Sequence, residues 1–432
     1  MHIKLYTLTK NTYTPMNLTI RIAVILLLAI PATGRGEDGA VVPMVRVEWG
    51  QYDPYNTLCP KVEENNTAAG CVALAAAQML THHRSPASLK GEIYYTTPTY
   101  GIRIYEDLEG RNIDWTMLDA DTQSDAYRQW AAQIVYLAGI MAQTDYCPET
   151  STAAMGQLAT GLKDHCGFDT DMTIPKRECH TPEEWHDIVC NELRHGRPVI
   201  MSAKDTGAGA HAFVIDGMKP DTENPSLTLF HINWGWDGRH NGYYSLEHLA
   251  PGDYNFSAEQ RIITHCQPDD GQTDVACCVE GSATLSKTSV SAGDTGDITL
   301  QLTFDNRCCR IFDGSFTATL IDEEGKKTSV GKKTYIRNIT PFHSTRATVT
   351  FTPPAAAGRY TLRVTVSPLG SFTDYPASLT GDTTLTVTVP AGISPAHTDT
   401  LPHPDAIYNT GGQHLAKPRK GINIINGRKV IY

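Results

Sequence analysis

The spacing of hydrophobic and polar positions changes several times along this 432-residue chain, and each change marks an element. Near the start an apolar run, Ile20 to Ile30, interrupted only by Arg21, follows Lys4 and Lys10 and runs into Pro31-Ala32-Thr33-Gly34. It is shorter than the ~20 apolar residues that span a bilayer. It fits the hydrophobic region of a secretory signal cleaved between Ala32 and Glu37, which makes 1–35 a signal segment and 36–44 a short lead. A buried N-terminal helix or strand is the plainer alternative. Helical periodicity then appears over Val72 to His82, Ala126 to Met141, Ala153 to His165 and Pro182 to His195. Short β-rich runs follow, Pro198 to Ser202, His211 to Asp216, Leu227 to Trp234 and Gly242 to Leu246, separated by Gly, Pro, Asn and Asp. Helices first and an antiparallel sheet late predict an α+β domain over 45–268.

From 279 to 390 the texture becomes Thr-, Ser- and Val-rich with period two, as in Asp297 to Phe304, Ser315 to Ile321, Arg359 to Val366 and Thr383 to Val389. Repeated strands without a helical stretch predict an all-β immunoglobulin-like sandwich. Residues 391–420 read as an aperiodic linker. The closing stretch, 421–432, reads as a two-strand hairpin turning at Asn426-Gly427.

Composition narrows the function. Forty-seven acidic against 36 basic residues give a net charge of −11, and without a basic cluster neither nucleic acid nor an anionic membrane is an expected partner. No stretch after the first is long and apolar enough for stable membrane insertion. Eleven cysteines fit export to an oxidising compartment, and their odd number leaves at least one thiol unpaired or bridged to another chain. The doublets Cys277-Cys278 and Cys308-Cys309 either pair across neighbouring strands or are buried thiols. No His/Cys cluster has zinc spacing, so no metal and no cofactor are expected.

One cysteine stands apart. Gly70 allows a tight turn before Cys71, and the helix that starts at Val72 points its positive end at the sulfur, which lowers a thiol pKa. The alternatives are a small buried residue or half of a disulfide. His211 lies 140 residues downstream, within the roughly 130–150 that separate thiol and imidazole in papain-like enzymes. It opens an apolar strand after the small-residue loop Gly207 to Ala210. On the next strand, in Phe230-His-Ile-Asn-Trp-Gly-Trp236, the Asn233 side-chain oxygen is the candidate holder of the far imidazole N–H. Trp234 and Trp236 either cover that bond and wall a substrate cleft or pack as core. Asp216, beside Gly217, reads as a turn residue, and His82 and His83 as carbonyl caps.

These residues also carry a resemblance. Trp49-Gly-Gln51 with Pro54-Tyr-Asn56, Ala69-Gly-Cys-Val-Ala73 with Gln78, Gly209 to Gly217, and His231 to Trp236 followed by Asn241-Gly-Tyr-Tyr resemble the streptopain (C10) family of papain-fold peptidases, over about Val45 to Cys266. The resemblance implies a Cys71–His211 dyad acting on protein or peptide substrates of broad sequence. It also implies that the Gln51 amide joins the Cys71 backbone N–H as an oxyanion donor, although a structural Gln is a fair rival. Ser151 and the backbone of Ala210 fall near where the family meets the substrate main chain. Two departures stand out. Ala210 occupies a position that is commonly Gly, and only about ten residues separate signal from enzyme, where the family carries a long inhibitory propeptide. The segment Gly421 to Val430 resembles C-terminal sorting tails of Bacteroidetes proteins exported by the type IX system. That implies recognition by outer-membrane sorting machinery and a secreted, cell-surface-attached product. The expected function is therefore a secreted cysteine endopeptidase. An acyl-transfer amidase on the same scaffold and a peptidase-like adhesin that binds host protein are the alternatives.

Overall fold

The computed structural model describes residues 39–224, 226–273, 278–371, 373–389, 407–410, 414–425 and 428–431. The expected signal segment, Cys277 and the Asn426-Gly427 turn lie outside them. Four α-helices occupy the first half: α1 (Cys71–His83), α2 (Asp125–Met141), α3 (Met155–Cys166) and α4 (Pro182–Arg194). Their ends follow from local chemistry. Ser124 Oγ accepts the Tyr127 N–H at the start of α2. Thr181 and Glu184 form a reciprocal capping box ahead of α4, with Pro182 in its first turn. Gly167, left-handed at φ 64°, stops α3. Helix α1 differs from the others because Val72 through Thr81 are all buried. Its run of alanines lets neighbours close on every side, so it lies inside the domain rather than on its surface.

A five-stranded antiparallel sheet packs on α1. Its strands are β1 (Val199–Asp205), β2 (Gly209–Pro220), β3 (Thr228–Asn233), β4 (Gly242–Tyr244) and β5 (Ala258–Ile263), in the order β4-β3-β2-β1-β5. Along β2, Ala212 and Val214 join the cluster built on α1–α3, while Phe213 and Ile215 join the cluster of α4 and Trp185. The period of two thus places β2 between two cores. Strand β5 and the hairpin Glu92–Thr96/Arg103–Asp107 escaped the sequence pattern, because Ala258-Glu-Gln-Arg carries three polar residues in a row before its apolar end.

The second half is two facing sheets. Strands β6 (Val279–Leu285), β8 (Ile298–Asn306), β11 (Ser344–Phe351) and β13 (Ser378–Gly381) form one, ordered β11-β8-β6-β13. Strands β7 (Ser289–Ser291), β9 (Phe312–Ile321), β10 (Lys327–Ile339), β12 (Gly358–Pro368) and β14 (Thr384–Thr388) form the other, ordered β7-β14-β12-β9-β10. Leu300, Leu302 and Phe304 of the first meet Phe316, Leu320 and Val364 of the second in one buried cluster, with the Phe304 and Phe316 rings 4.8 Å apart.

The halves are joined by main chain. Residues 172–176 hydrogen-bond to β5 through Ile262 N–H to Pro175 O (3.3 Å), and just past its end through Thr264 N–H to Thr173 O (3.0 Å). They bond the β region through Ile174 N–H to Arg307 O (2.9 Å) and Cys309 N–H to Met172 O (3.1 Å). Cys309 belongs to the α1–α3 cluster and Phe342 packs against it. Buried Glu280 sits at the seam, where its carboxylate takes the Lys176 N–H, His180 Nε2 (3.0 Å) and Arg307 Nε (3.1 Å).

One expectation changes, and one alternative left open by the sequence is decided. Residues 391–420 are not all linker, since Ile407–Asn409 and His414–Leu415 join Ile422–Ile425 and Arg428–Ile431 in a four-stranded antiparallel sheet. A lone two-strand hairpin is marginal in water, and Ile407–Asn409 pairs its Ile422–Ile425 edge, with His414–Leu415 beyond it. The Cys308-Cys309 doublet consists of buried thiols, with Cys308 Sγ 3.1 Å from the Cys278 backbone N, and no disulfide is formed among the described residues.

Candidate active site

Cys71 heads α1, where no side chain caps the helix and no acidic residue occupies the first turn. The helix N-terminus is therefore free to act on the sulfur. Gly70 holds φ 90°, and a Cβ there would press at 3.3 Å on both the Cβ and the carbonyl oxygen of Ser151. Glycine is needed on both counts. Burial pushes the Cys71 thiol up. The backbone N–H groups of Ala212, Val72 and Cys71 itself oppose this without reversing it. The Ala212 N–H comes from β2, next to His211, so helix and strand meet at this sulfur.

His211 is 7% exposed, and its Nε2 lies 2.8 Å from the Trp234 carbonyl oxygen. A carbonyl only accepts, so Nε2 carries the hydrogen and the neutral ring keeps its lone pair on Nδ1. Trp236 stacks over the imidazole at 4.9 Å and 30°, with Phe256 at 5.4 Å. This aromatic burial lowers the His211 pKa to about 4, and the Trp234 carbonyl offsets only part of the effect.

Asn233 does not hold the imidazole. Its Nδ2 donates to Val47 O (2.8 Å) and its Oδ1 accepts the Gly235 N–H (3.1 Å), while His211 Nε2 bonds the Trp234 carbonyl instead. The side chain turns inward from β3, where it is 2% exposed, and the next carbonyl along the chain takes the position over the ring. Trp234 is also corrected. Its indole is fully buried, 4.5 Å from the Phe213 ring, so it is core and its backbone faces the site. Ser151 is 1% exposed, and its hydroxyl donates to Ala68 O (2.6 Å) while accepting the Cys147 N–H (2.9 Å). It therefore braces the turn that leads to Cys71 and has no free group for a substrate.

The remaining residues line open space. Gln51 is half-buried, and its carbonyl takes the Ala69 N–H (2.9 Å), two residues ahead of Cys71. With Tyr52, Gly235, Trp236 and Tyr254 it walls a cleft of about 360 Å³. Ala210 is exposed at the start of β2, opposite Lys204. A larger groove of about 810 Å³ runs along Val42 to Trp49 and past Arg84 and Asp119. Neither lining includes Cys71 or His211, but the smaller cleft is walled by Trp236, whose ring stacks on the His211 imidazole.

Two residues quoted in the sequence motifs without a role prove to be braces. Asn241 Oδ1 accepts the Trp234 N–H (3.0 Å), and Gln78 Oε1, one face along α1 from Cys71, accepts the Trp49 N–H (3.2 Å). Asp216 is fully buried, with Oδ1 2.6 Å from His231 Nδ1 and Oδ2 accepting the Val45 N–H (2.8 Å). His82 and His83 bond the carbonyls of Gly196 and Cys266, both at 2.9 Å and both outside α1. Among the described residues no three His, Cys, Asp or Glu side chains are arranged to hold a metal ion.

Residues 49–244 match the model of the peptidase C10 family. Over 235 residues the chain is 28% identical to the thiol protease/hemagglutinin PrtT of Porphyromonas gingivalis, covering 51% of this chain and 26% of that protein. Over 248 residues it is 25% identical to streptopain of Streptococcus pyogenes, covering 51% of this chain and 61% of that protein. The chain thus spans less than two thirds of either curated relative. Among solved structures, that of the active wild-type Prevotella intermedia interpain A cysteine protease is 33% identical, with a TM-score of 0.48. The match covers 53% of this chain and 96% of that one.

Proposed function

This chain belongs to the peptidase C10 family, and from that premise we propose that it is a secreted cysteine endopeptidase that cleaves proteins through an acyl-thioenzyme on Cys71. The observation that carries the reading is the meeting of Cys71 Sγ with the backbone of β2 beside His211, whose Nε2 is fixed by the Trp234 carbonyl. That bond leaves Nδ1 as the free base.

At rest, burial favours the neutral pair, a thiol and an imidazole. Attack on a substrate carbonyl carbon forms the S–C bond as His211 Nδ1 takes the thiol proton. The two charges arise together and have fixed partners. N–H dipoles of α1 and Ala212 face the sulfur, and the Trp234 carbonyl faces the imidazolium. The carbonyl electrons move to oxygen, where the Cys71 N–H and the Gln51 side-chain amide are the proposed donors. Collapse expels the amine, which leaves with the proton from His211. Water, deprotonated by His211, then attacks the thioester and releases the acid and the thiol. Trp236 shelters the imidazole, and Ala210 offers main chain at the rim. No feature of the cleft favours the acyl-transfer or adhesin alternatives.

The two-sheet arrangement supports reading 279–390 as an immunoglobulin-like spacer that presents the enzyme. The resemblance of 421–432 to type IX sorting tails supports export and surface attachment, and truncation after Pro418 should then block outer-membrane passage. For the enzyme, an epoxide that alkylates activated thiols should modify Cys71. The variants Cys71→Ala and His211→Ala should lose casein hydrolysis. Unmodified Cys71 together with undiminished hydrolysis by Cys71→Ala would overturn the proposal.

A further inference from the structure

The turn that follows β3, Trp234-Gly-Trp-Asp-Gly-Arg-His240, takes the left-handed backbone conformation at Gly235, Asp237, Gly238 and His240. Asp and His are among the few side chains that tolerate it. The turn is pinned on the segment that leads to Gln51. The Asp237 N–H donates to Trp49 O (3.2 Å), and a Cβ on Gly50 would overlap the Asp237 carboxylate. The missing side chain of Gly50 is thus the space in which that carboxylate sits. The acid is covered on this side only, since 56% of its side chain stays exposed. It lies in the wall of the 360 Å³ cleft, with Gln51, Tyr52, Trp236 and Tyr254. We propose that this cleft receives the side chain on the amine side of the scissile bond, and that Asp237 makes it select lysine or arginine there.

The side of the bond follows from the proton. The departing amine takes its proton from His211, so it leaves within hydrogen-bond reach of that imidazole. Trp236 stacks on the ring at 4.9 Å, and the same indole walls the cleft. Whatever departs with the amine therefore has the cleft beside it. The kind of side chain follows from the walls. The Trp236 and Tyr254 rings stand 5.5 Å apart, and Tyr52 is held by its hydroxyl on Glu149 O (2.9 Å). Such rings cover the methylene stem of a lysine or arginine and attract its charged head. Charge points the same way. Glu48 lies under the same turn, where a Cβ on Gly238 would come within 2.7 Å of its Oε2, so two carboxylates flank the turn. Against them stands Arg239, whose Nε donates to Trp236 O (3.1 Å) and whose guanidinium stays 3.8 Å from the Asp237 carboxylate. That separation is too long for a hydrogen bond, so Asp237 keeps acceptor capacity for a substrate cation.

This inference rests on the peptidase reading, and the test separates the two. The full chain is given internally quenched peptides that differ only in the residue after the scissile bond, lysine, leucine or glutamate, with product masses locating the cut. One exposed ion pair and one cation–π contact amount to about tenfold in kcat/KM for lysine over leucine, and glutamate should fall below leucine. The preference should shrink at high salt, as an exposed pair requires. Asp237→Asn is nearly isosteric and holds the left-handed conformation, and it should cut the lysine-to-leucine ratio to about threefold. Arg239→Gln removes the competing cation and should raise the ratio above wild type. Each ratio is taken on one enzyme, so a variant's loss of overall rate cancels. Equal wild-type rates on the three peptides, a preference for glutamate, or an Asp237→Asn ratio unchanged from wild type would overturn the assignment. If the wild-type protein cleaves none of the peptides, leaves casein intact and is not alkylated at Cys71, the peptidase reading has failed and this inference with it.

Discussion

Replacing Ser151 with alanine tests the correction on which the nucleophile's mounting depends. The hydroxyl donates to Ala68 O at 2.6 Å and accepts the Cys147 N–H at 2.9 Å. It thereby ties the chain just before Gly70 to the loop after α2. Alanine removes both bonds and leaves a buried carbonyl without that donor and an amide without its acceptor, at a cost of about 2–3 kcal/mol in all. In a domain of this size each kcal/mol shifts the midpoint by about 2–4 °C, so calorimetry on the full chain should show a loss of about 4–12 °C. Because the Gly70 turn is packed on Ser151 at 3.3 Å, kcat should fall as Cys71 loses its fixed approach, with KM changing less. A substrate-contacting serine predicts the reverse, a raised KM and an unchanged midpoint. A midpoint within about 1 °C of wild type would refute the bracing role.

Other consequences are equally direct. Glu280→Ala strips the partner from Arg307 and His180 at the buried seam. It should cost about 3–5 kcal/mol and split one calorimetric transition into two. Gly235→Ala places a Cβ 2.7 Å from Leu74 Cδ2 at φ 71°. It should cost about 1–3 kcal/mol and depress kcat, read by urea unfolding and casein turnover. The protein should also be acid-labile. His211 and His83 titrate at about 4 and about 3 when folded, against 6.5 otherwise. Below about 6.5 the unfolded chain therefore binds protons that the folded one refuses. Stability is full above that pH and falls as pH drops, by about 2 kcal/mol per histidine at pH 5. Urea midpoints at pH 8 and pH 5 measure it, and His83→Gln, which keeps a donor for the Cys266 carbonyl, should recover about half the loss.

Much of the scaffold was legible because period and caps are local. The Ala-rich run after Cys71, the helical period over Pro182 to His195 and the alternation through Phe213 and Ile215 each fix an element from its own neighbourhood. The roles of side chains were less legible where the partner is distant in sequence. Nothing near Asn233 announces that Val47 will claim its amide, and once it does, the imidazole must find a backbone carbonyl. Ser151 looked available because its partners, Ala68 and Cys147, are joined to it only by the fold. Trp234 and Trp236 are two residues apart on one turn, and only packing decides that the first is core and the second a cleft wall.

The seam between the halves also sets an order in time. Cys309 and Phe342 are part of the packing around α1–α3, yet they lie well over 200 residues beyond Cys71. The ribosome delivers the nucleophile, its helix and even His211 long before it delivers the side chains that close their core. It follows that the packing around α1–α3 is completed only after residues more than 200 positions further along the chain have emerged.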